Sequence, residues 1–264
     1  LLAADDATAM LNKILAADRF EMGLWVGRNA AESIRKAQEE FGHANLVVAT
    51  GASQFEVLAS LAEQPGIDWS QVTGFHLDEY VGVSPDHPAS FCRYLRERFV
   101  DKVTPGAFHY LRGDEDAKET MQRVGELLRE TRIDVSLVGI GENAHLAFND
   151  PPADLTTQEP YLLVELDKRC RQQQVGEGWF PSMDEVPTHA ISMSVQQILK
   201  SREIFCSVPD AQKAEAVART LSSFNDPMVP ASALHTHPNA TLIIDIASSA
   251  ELDRDVRNSM ESAS

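Results

Sequence analysis

The stretch IDVSLVGIGENAHLAFNDPP, residues 133–152, decides how the chain is read. It opens with a short apolar run, IDVSLV, of the kind that forms a buried strand. Gly139 and Gly141 then let the backbone turn tightly. Asn149 and Asp150 start a second turn, and Pro151 with Pro152 ends it. The loop groups Asn143, His145 and Asp150 directly after the strand. His145 is the side chain there best suited to moving a proton near neutral pH. Asp150, five residues on, is placed to fix its tautomer. The plainer reading is a core histidine satisfied by backbone groups.

Outward from this stretch, strands and helices alternate. NLVVAT (45–50), VTGFHLD (72–78), YLLVEL (161–166), HAISMSV (189–195), EIFCSV (203–208) and TLIIDI (241–246) read as strands. Residues 21–42 form an amphipathic helix closed by Gly42, and 53–64, 88–100, 116–132 and 210–221 read as further helices. Such alternation implies crossover units and a mainly parallel sheet covered on both faces. Right-handed crossovers make this a doubly wound three-layer sandwich, with its ligand at the carboxyl ends of the strands near a topological switch. Residues 1–264 contain no repeat, low-complexity tract or long linker and read as a single domain.

The formal charge of −17, from 23 Lys and Arg against 40 Asp and Glu, repels nucleic acid and anionic membranes. Neither is expected as a partner. A small anion stays allowed, because backbone N–H groups at a helix start and one lysine suffice to hold a phosphate. No apolar run approaches the roughly 20 residues of a membrane span. The opening LLAADDATAMLNKILAAD carries acids where a targeting signal would carry bases. Cys92, Cys170 and Cys206 are odd in number, widely spaced and without metal-ligand spacing, which suits packing roles in a reducing cytoplasm.

Three more stretches carry polar groups at strand ends. In VVATGASQFEVL (47–58), Gly51 and Ala52 permit a tight bend and Ser53 offers a hydroxyl at a helix start. This is a phosphate cradle or a plain connection with a serine cap. In FHLDEYVG (75–82), Asp78 and Glu79 end an apolar strand. One of them facing a cleft becomes a general base if burial raises its pKa; otherwise this is a solvated acidic turn. In SVPDAQKAEAV (207–217), Lys213 sits in the first turns of a helix, where the dipole disfavours it unless an anion is near; the alternative is a solvated surface lysine. LHTHP (234–238) has two histidines but no third ligand, so no metal site is expected. QQQVGEGWF (172–180) suits a mobile flap or an ordinary loop.

In this order and spacing, VVATGAS, FHLDEYVG, GIGENAHLAFNDPP and VPDAQKAEAV resemble the glucosamine-6-phosphate deaminase/isomerase family, over nearly the whole chain beyond the first ten or so residues. The resemblance implies a Rossmann-like three-layer α/β/α sandwich with a mainly parallel sheet. It also implies a cofactor-free, metal-free conversion of an amino-sugar 6-phosphate to fructose 6-phosphate and ammonia. The family's C2 proton base falls on Asp78, its ring-opening histidine on His145, and its supporting acid on Asp150, where glutamate is commoner. Thr50, Gly51, Ala52 and Ser53 fall on the phosphate turn, Lys213 on the phosphate lysine, and residues 155–187 on the mobile lid. Members differ in oligomeric state, so a homo-oligomer stays open.

The chain departs from this pattern twice. It reads Asn143-Ala144-His145 where the family usually reads Asp-Gly-His, so Asn143→Asp is expected to speed ring opening. Gln174 aligns with a phosphate-binding arginine of the lid, for which Arg169 or Arg171 are the nearest substitutes. Two alternatives are set aside. A 6-phosphogluconolactonase-like hydrolase would resemble DER and ASLFP where this chain has DEY and AFNDPP. A non-catalytic sugar-phosphate sensor is disfavoured by the lack of a basic helix-turn-helix and by the presence of both Asp78 and His145.

Overall fold

The computed structural model describes residues 11–263; the opening residues, on which the absence of a targeting signal was read, lie largely outside them. Among the described residues the strands are β1 (Asn12–Ala16), β2 (Ala44–Val48), β3 (Val72–His76), β4 (Asp78–Tyr80), β5 (Ala107–His109), β6 (Val135–Val138), β7 (Tyr161–Glu165), β8 (His189–Met193), β9 (Glu203–Val208), β10 (Ala240–Asp245) and β11 (Glu261–Ser262). Eight of them form one sheet in the order β11-β1-β10-β9-β6-β2-β3-β5, and every pairing in it is parallel. The chain runs from β2 outward to β3 and β5, and from β6 the other way to β9 and β10. The order therefore reverses where β2 and β6 pair.

Both faces of this sheet are covered. Leu46, Val48, Val135, Leu137 and Ile243 join one apolar cluster with Met22, Val26 and Ile34 of the helix Arg19–Phe41 and Val57 and Leu61 of the helix Phe55–Ala62. Their strand neighbours Val47, Val138, Leu242 and Ile244 join a second cluster with Val124 and Leu128 of the helix Ala117–Glu130 and Val217 of the helix Ala214–Ser222. This alternation of successive side chains is the period of two that a pleated strand imposes, and the result is the expected three-layer α/β sandwich. The first helix starts on Asp18, whose carboxylate accepts from the N–H groups of Phe20 and Glu21, and ends at Gly42, whose N–H donates to Gln38. No helix among the described residues is long and apolar enough to cross a membrane.

The structure corrects several sequence expectations. Residues 161–166 and 189–195 do not join the main sheet: β7 and β8 pair antiparallel and, with β4, form a separate three-stranded sheet. The reason lies in β7, which buries one face only and has no place between two helical layers. Residues 72–78 are likewise two strands. Leu77 donates its N–H to Val48 and accepts from Met193, so the chain changes sheets there and Asp78 follows at once. Residues 53–64 begin with a 3-10 turn, Ala52–Gln54, and no side chain caps it or the following helix, so Ser53 is not the cap. The third helix starts at Phe91 and widens into a π-helical segment, Arg96–Val100. Strands β1 and β5 and the helix Lys168–Gly176 were not foreseen.

Candidate active site

At the carboxyl ends of β2, β3, β6 and β9, where the strand order reverses, lies a cavity of about 420 Å³. This is where an open α/β sheet leaves room for a ligand, because the crossover helices diverge to opposite faces. The connection after β2 contributes Thr50, Gly51, Ala52 and Ser53, and the sheet change after β3 contributes Asp78. The loop after β6 brings Gly141, Glu142 and His145, and the turn after β9 brings Asp210 and Lys213. Gln173, Gln174, Glu177 and Trp179 close one side. Asn143 and Asp150 stand behind His145 rather than in the wall.

Asp78 and Glu79 divide as alternating strand residues must. Glu79 turns inward, where its carboxylate accepts from the N–H groups of Tyr80, Phe91 and Cys92 and from the Ser90 hydroxyl. It thereby holds the start of the helix Phe91–Leu95. Asp78 faces the cavity. It is buried, and its Oδ1 has no hydrogen-bond partner among the described residues. Burial, with Glu79 alongside, pushes the Asp78 carboxyl up to about 8. A carboxylate that is desolvated, without a compensating donor and close to neutrality is suited to take a proton from carbon.

His145 lies with its Nδ1 2.8 Å from Asp150 Oδ1. An acceptor at that distance places the ring hydrogen on Nδ1 and leaves the Nε2 lone pair free. The Asp150 carboxyl is raised by burial, but hydrogen bonds from His145, Asn143 and the Asp167 N–H outweigh this and hold it below the usual range. The Asn143 amide explains how so many acids coexist. Its Nδ2 donates to Asp150 at 2.8 Å and to Asp167 at 3.1 Å, while its Oδ1 accepts from the His145 N–H. Asp167 in turn accepts from Cys170 N–H and so caps the helix Lys168–Gly176. Gly141 passes directly beneath the imidazole: a Cβ there would come within 2.1 Å of His145 Nε2.

The opposite end of the cavity has little positive charge. Gly51 adopts φ 90°, which gives the turn its sharpness, and its carbonyl accepts from the Tyr94 hydroxyl. Among the lining residues Lys213 is the one cation, against Asp78, Glu142, Glu177 and Asp210. Burial lowers the Lys213 pKa, with Glu177, Glu142 and Asp210 acting the other way. Arg19 lies beside the turn but donates to the Ala52 carbonyl, Glu56 and Asp210. Asp210, at φ 77°, is held by the Asp245 carboxylate, which accepts its N–H.

Residues 172–180 are neither a flap nor a loop throughout: 172–176 belong to the helix Lys168–Gly176, and with the turn after it they line the cavity through Gln173, Gln174, Glu177 and Trp179. Trp179 packs against Phe55 and Tyr94, and Gln173 accepts from the Glu142 N–H. Gln174 is buried and accepts from the Tyr80 hydroxyl at 2.6 Å. Neither suggested substitute for a lid arginine reaches the site. Arg169 pairs with Glu215, and Arg171 donates to the carbonyls of Met183 and Val186.

Two groups of potential metal ligands occur among the described residues, His76–Glu79–Cys92 and His145–Asp150–Cys170. In the first, both Glu79 oxygens are already engaged; in the second, His145 and Asp150 are bound to each other. His235 and His237 contact separate backbone carbonyls, of Thr220 and Ser201, and share no site. Sequence reasoning missed Glu142, Asp167, Glu177 and Asp210. A signal for Asp167 existed, an aspartate just before a helical run, but its partner Asn143 lies 24 residues away and only the fold joins them.

A family model for glucosamine-6-phosphate isomerases and 6-phosphogluconolactonase matches residues 17–243. A glucosamine-6-phosphate deaminase of Exiguobacterium is 35% identical over 206 residues, 78% of this chain and 79% of that protein. One from Streptococcus pneumoniae is 32% identical over 229 residues, 86% of this chain and 95% of that protein. The solved structure of a monomeric glucosamine-6-phosphate deaminase is similar with a TM-score of 0.82 at 28% identity, covering 91% of this chain and 99% of that one. A 6-phosphogluconolactonase from Shewanella baltica shares the fold, with a TM-score of 0.75 at 21% identity over 90% of this chain and 98% of that one.

Proposed function

The chain belongs to the glucosamine-6-phosphate isomerase/6-phosphogluconolactonase family, and on that premise we propose that it converts glucosamine 6-phosphate and water to fructose 6-phosphate and ammonia. The observation that carries this reading is the meeting of two proton-transfer groups in one cavity. Asp78 has an unbonded buried oxygen there, and His145 is oriented by Asp150.

The chemistry needs both groups. His145, with Nε2 free, takes the anomeric hydroxyl proton and returns one to the ring oxygen, opening the sugar. Asp78 then removes the C2 proton of the open aldose and delivers a proton to C1. The resulting ketose carries its nitrogen as an imine, which water hydrolyses with loss of ammonia. The redox change is internal to the sugar, so no external electron acceptor is required. The pair left at C2 moves onto the C1 carbonyl oxygen, which takes a proton from the substrate ammonium, and the nitrogen lone pair forms the C=N bond as C1 is protonated. By the bond that water breaks, the step is a hydrolysis. A protonated substrate amine beside Asp78 would draw its raised pKa back down and supply the base form.

Lys213 and the turn formed by Thr50, Gly51, Ala52 and Ser53 are proposed to hold the phosphate, remote from the reacting carbons, so that its binding orients C1 and C2. Residues 155–187 are proposed to act as the lid, and the three buried free cysteines support a cytoplasmic setting.

The deciding assay is ammonia release from glucosamine 6-phosphate, with galactosamine 6-phosphate alongside. Release is expected. Binding of both sugars without ammonia would leave a sensor in its place, and hydrolysis of 6-phosphogluconolactone would leave a lactonase.

A further inference from the structure

Lys213 already has a counterion. Glu177 Oε1 lies 3.8 Å from Lys213 Nζ, and the two side chains are only 25% and 12% exposed. Glu177 is not a loose surface acid. Its Oε1 accepts from Gln173 Nε2 at 2.6 Å and its Oε2 from Trp179 Nε1 at 3.0 Å. Trp179 is itself packed against Phe55 and Tyr94, so the carboxylate is held over the lysine by an anchored segment.

The surroundings add no spare positive charge. Glu142 from the loop after β6 and Asp210 from the turn after β9 also face Lys213, and Arg19 is bound to Glu56, Asp210 and the Ala52 carbonyl. Gln174 contributes no charge and is bonded to Tyr80. An incoming phosphate therefore meets one lysine and a fixed carboxylate of its own sign.

We propose that Glu177 is a specificity-determining residue that competes with the substrate's phosphate for Lys213. Binding of the phosphate then requires Glu177 to leave the lysine, which weakens any ligand held by its phosphate alone. Ligands that also engage the far end of the cavity tolerate this cost; free phosphate does not. The inference rests on the reading of Lys213 as the phosphate lysine.

Isothermal titration with inorganic phosphate tests it without turnover, so its result stands apart from whether ammonia is released. Glu177→Gln is expected to tighten phosphate binding roughly tenfold, from the removal of one partly screened like charge. Glu177→Ala should change it in the same direction, and both should lose the gain when combined with Lys213→Ala. In turnover, Glu177→Gln should lower KM for glucosamine 6-phosphate, whereas a merely structural loss of the lid would raise it. Weaker or unchanged phosphate binding in both variants, a gain that survives without Lys213, or no phosphate binding by any variant would overturn the proposal.

Discussion

At one end of the cavity, His145, Asp150, Asn143 and Asp167 are joined by hydrogen bonds of 2.8–3.1 Å, with Asp78 set apart as a buried carboxylate bearing an unbonded oxygen. At the other, Lys213 faces Glu177 across 3.8 Å, with Glu142 and Asp210 nearby. The first end is ordered by donors that stabilise its carboxylates, and the second is left with more acid than base. The difference matches the two tasks proposed for these ends. Proton transfer requires groups held in one geometry, so a network that orients His145 while leaving Asp78 unbonded suits it. Anion binding requires a charge that can change partners, which a long ion pair allows.

The largest loss is expected from Asp78→Asn. Ammonia release from glucosamine 6-phosphate should fall by about a thousandfold, the scale of a lost general base; an unchanged rate would remove Asp78 from the chemistry. In the wild type, kcat/KM should rise as pH increases through about 8, because the free enzyme's base must lose its proton. The same raised pKa has a cost in stability. The protonated form is favoured by the fold, so its contribution is fully present below the unfolded carboxyl pKa near 4 and is lost as pH climbs to about 8. Asp78→Asn should therefore raise Tm more at pH 9 than at pH 5, a gap that thermal melts would show or refute.

Asn143→Asp has a smaller effect and probes the network around Asp150 and Asp167. From sequence it is expected to speed ring opening. The hydrogen bonds argue for the opposite sign, because the new carboxylate would face Asp150 and Asp167 in place of the amide that donates to both. Like charges raise carboxyl pKa values. Expected is a fall in kcat/KM of about tenfold, the size of one pKa unit, with the limb near pH 8 that Asp78 sets left in place. A faster enzyme would return the decision to the sequence pattern.

Ala144→Gly should change least. Ala144 sits at φ 68°, where a side chain costs about 1 kcal/mol. Glycine relieves this but loses a similar amount through its freer unfolded chain. The net change in denaturant unfolding should be within about 0.5 kcal/mol, and a larger loss would mean that the Ala144 methyl packs more tightly than its backbone suggests.

Much of the fold was legible because its central strands, β2, β6, β9 and β10, are short apolar runs ended by turn residues, and only a strand covered on both faces reads that way. Residues 72–78 misled for a matching reason. Apolar character continues through Leu77 while the chain changes sheets, and composition does not record a change of hydrogen-bond partner. At the site, Asp78, His145, Lys213 and the turn at Gly51 were visible as polar or glycine residues at strand ends. The companions that set their behaviour were not. Glu79 and Asp78 are equivalent acids in sequence, Glu177 lies in a segment that reads as a plain polar flap, and Asp167 meets its partner Asn143 only through the fold.

Residue pattern alone settled the layered α/β architecture, the cavity's place at the strand ends and the residue types available for proton transfer. All three follow from short-range regularities, the period of the apolar residues and the turns that interrupt them. Tertiary structure alone decided which of two adjacent carboxylates is buried without a partner, that Asn143 bridges two acids, and that Lys213 already faces a carboxylate. Those properties depend on burial and on charges brought close from distant parts of the chain, and electrostatics is governed by distance in space rather than along the sequence.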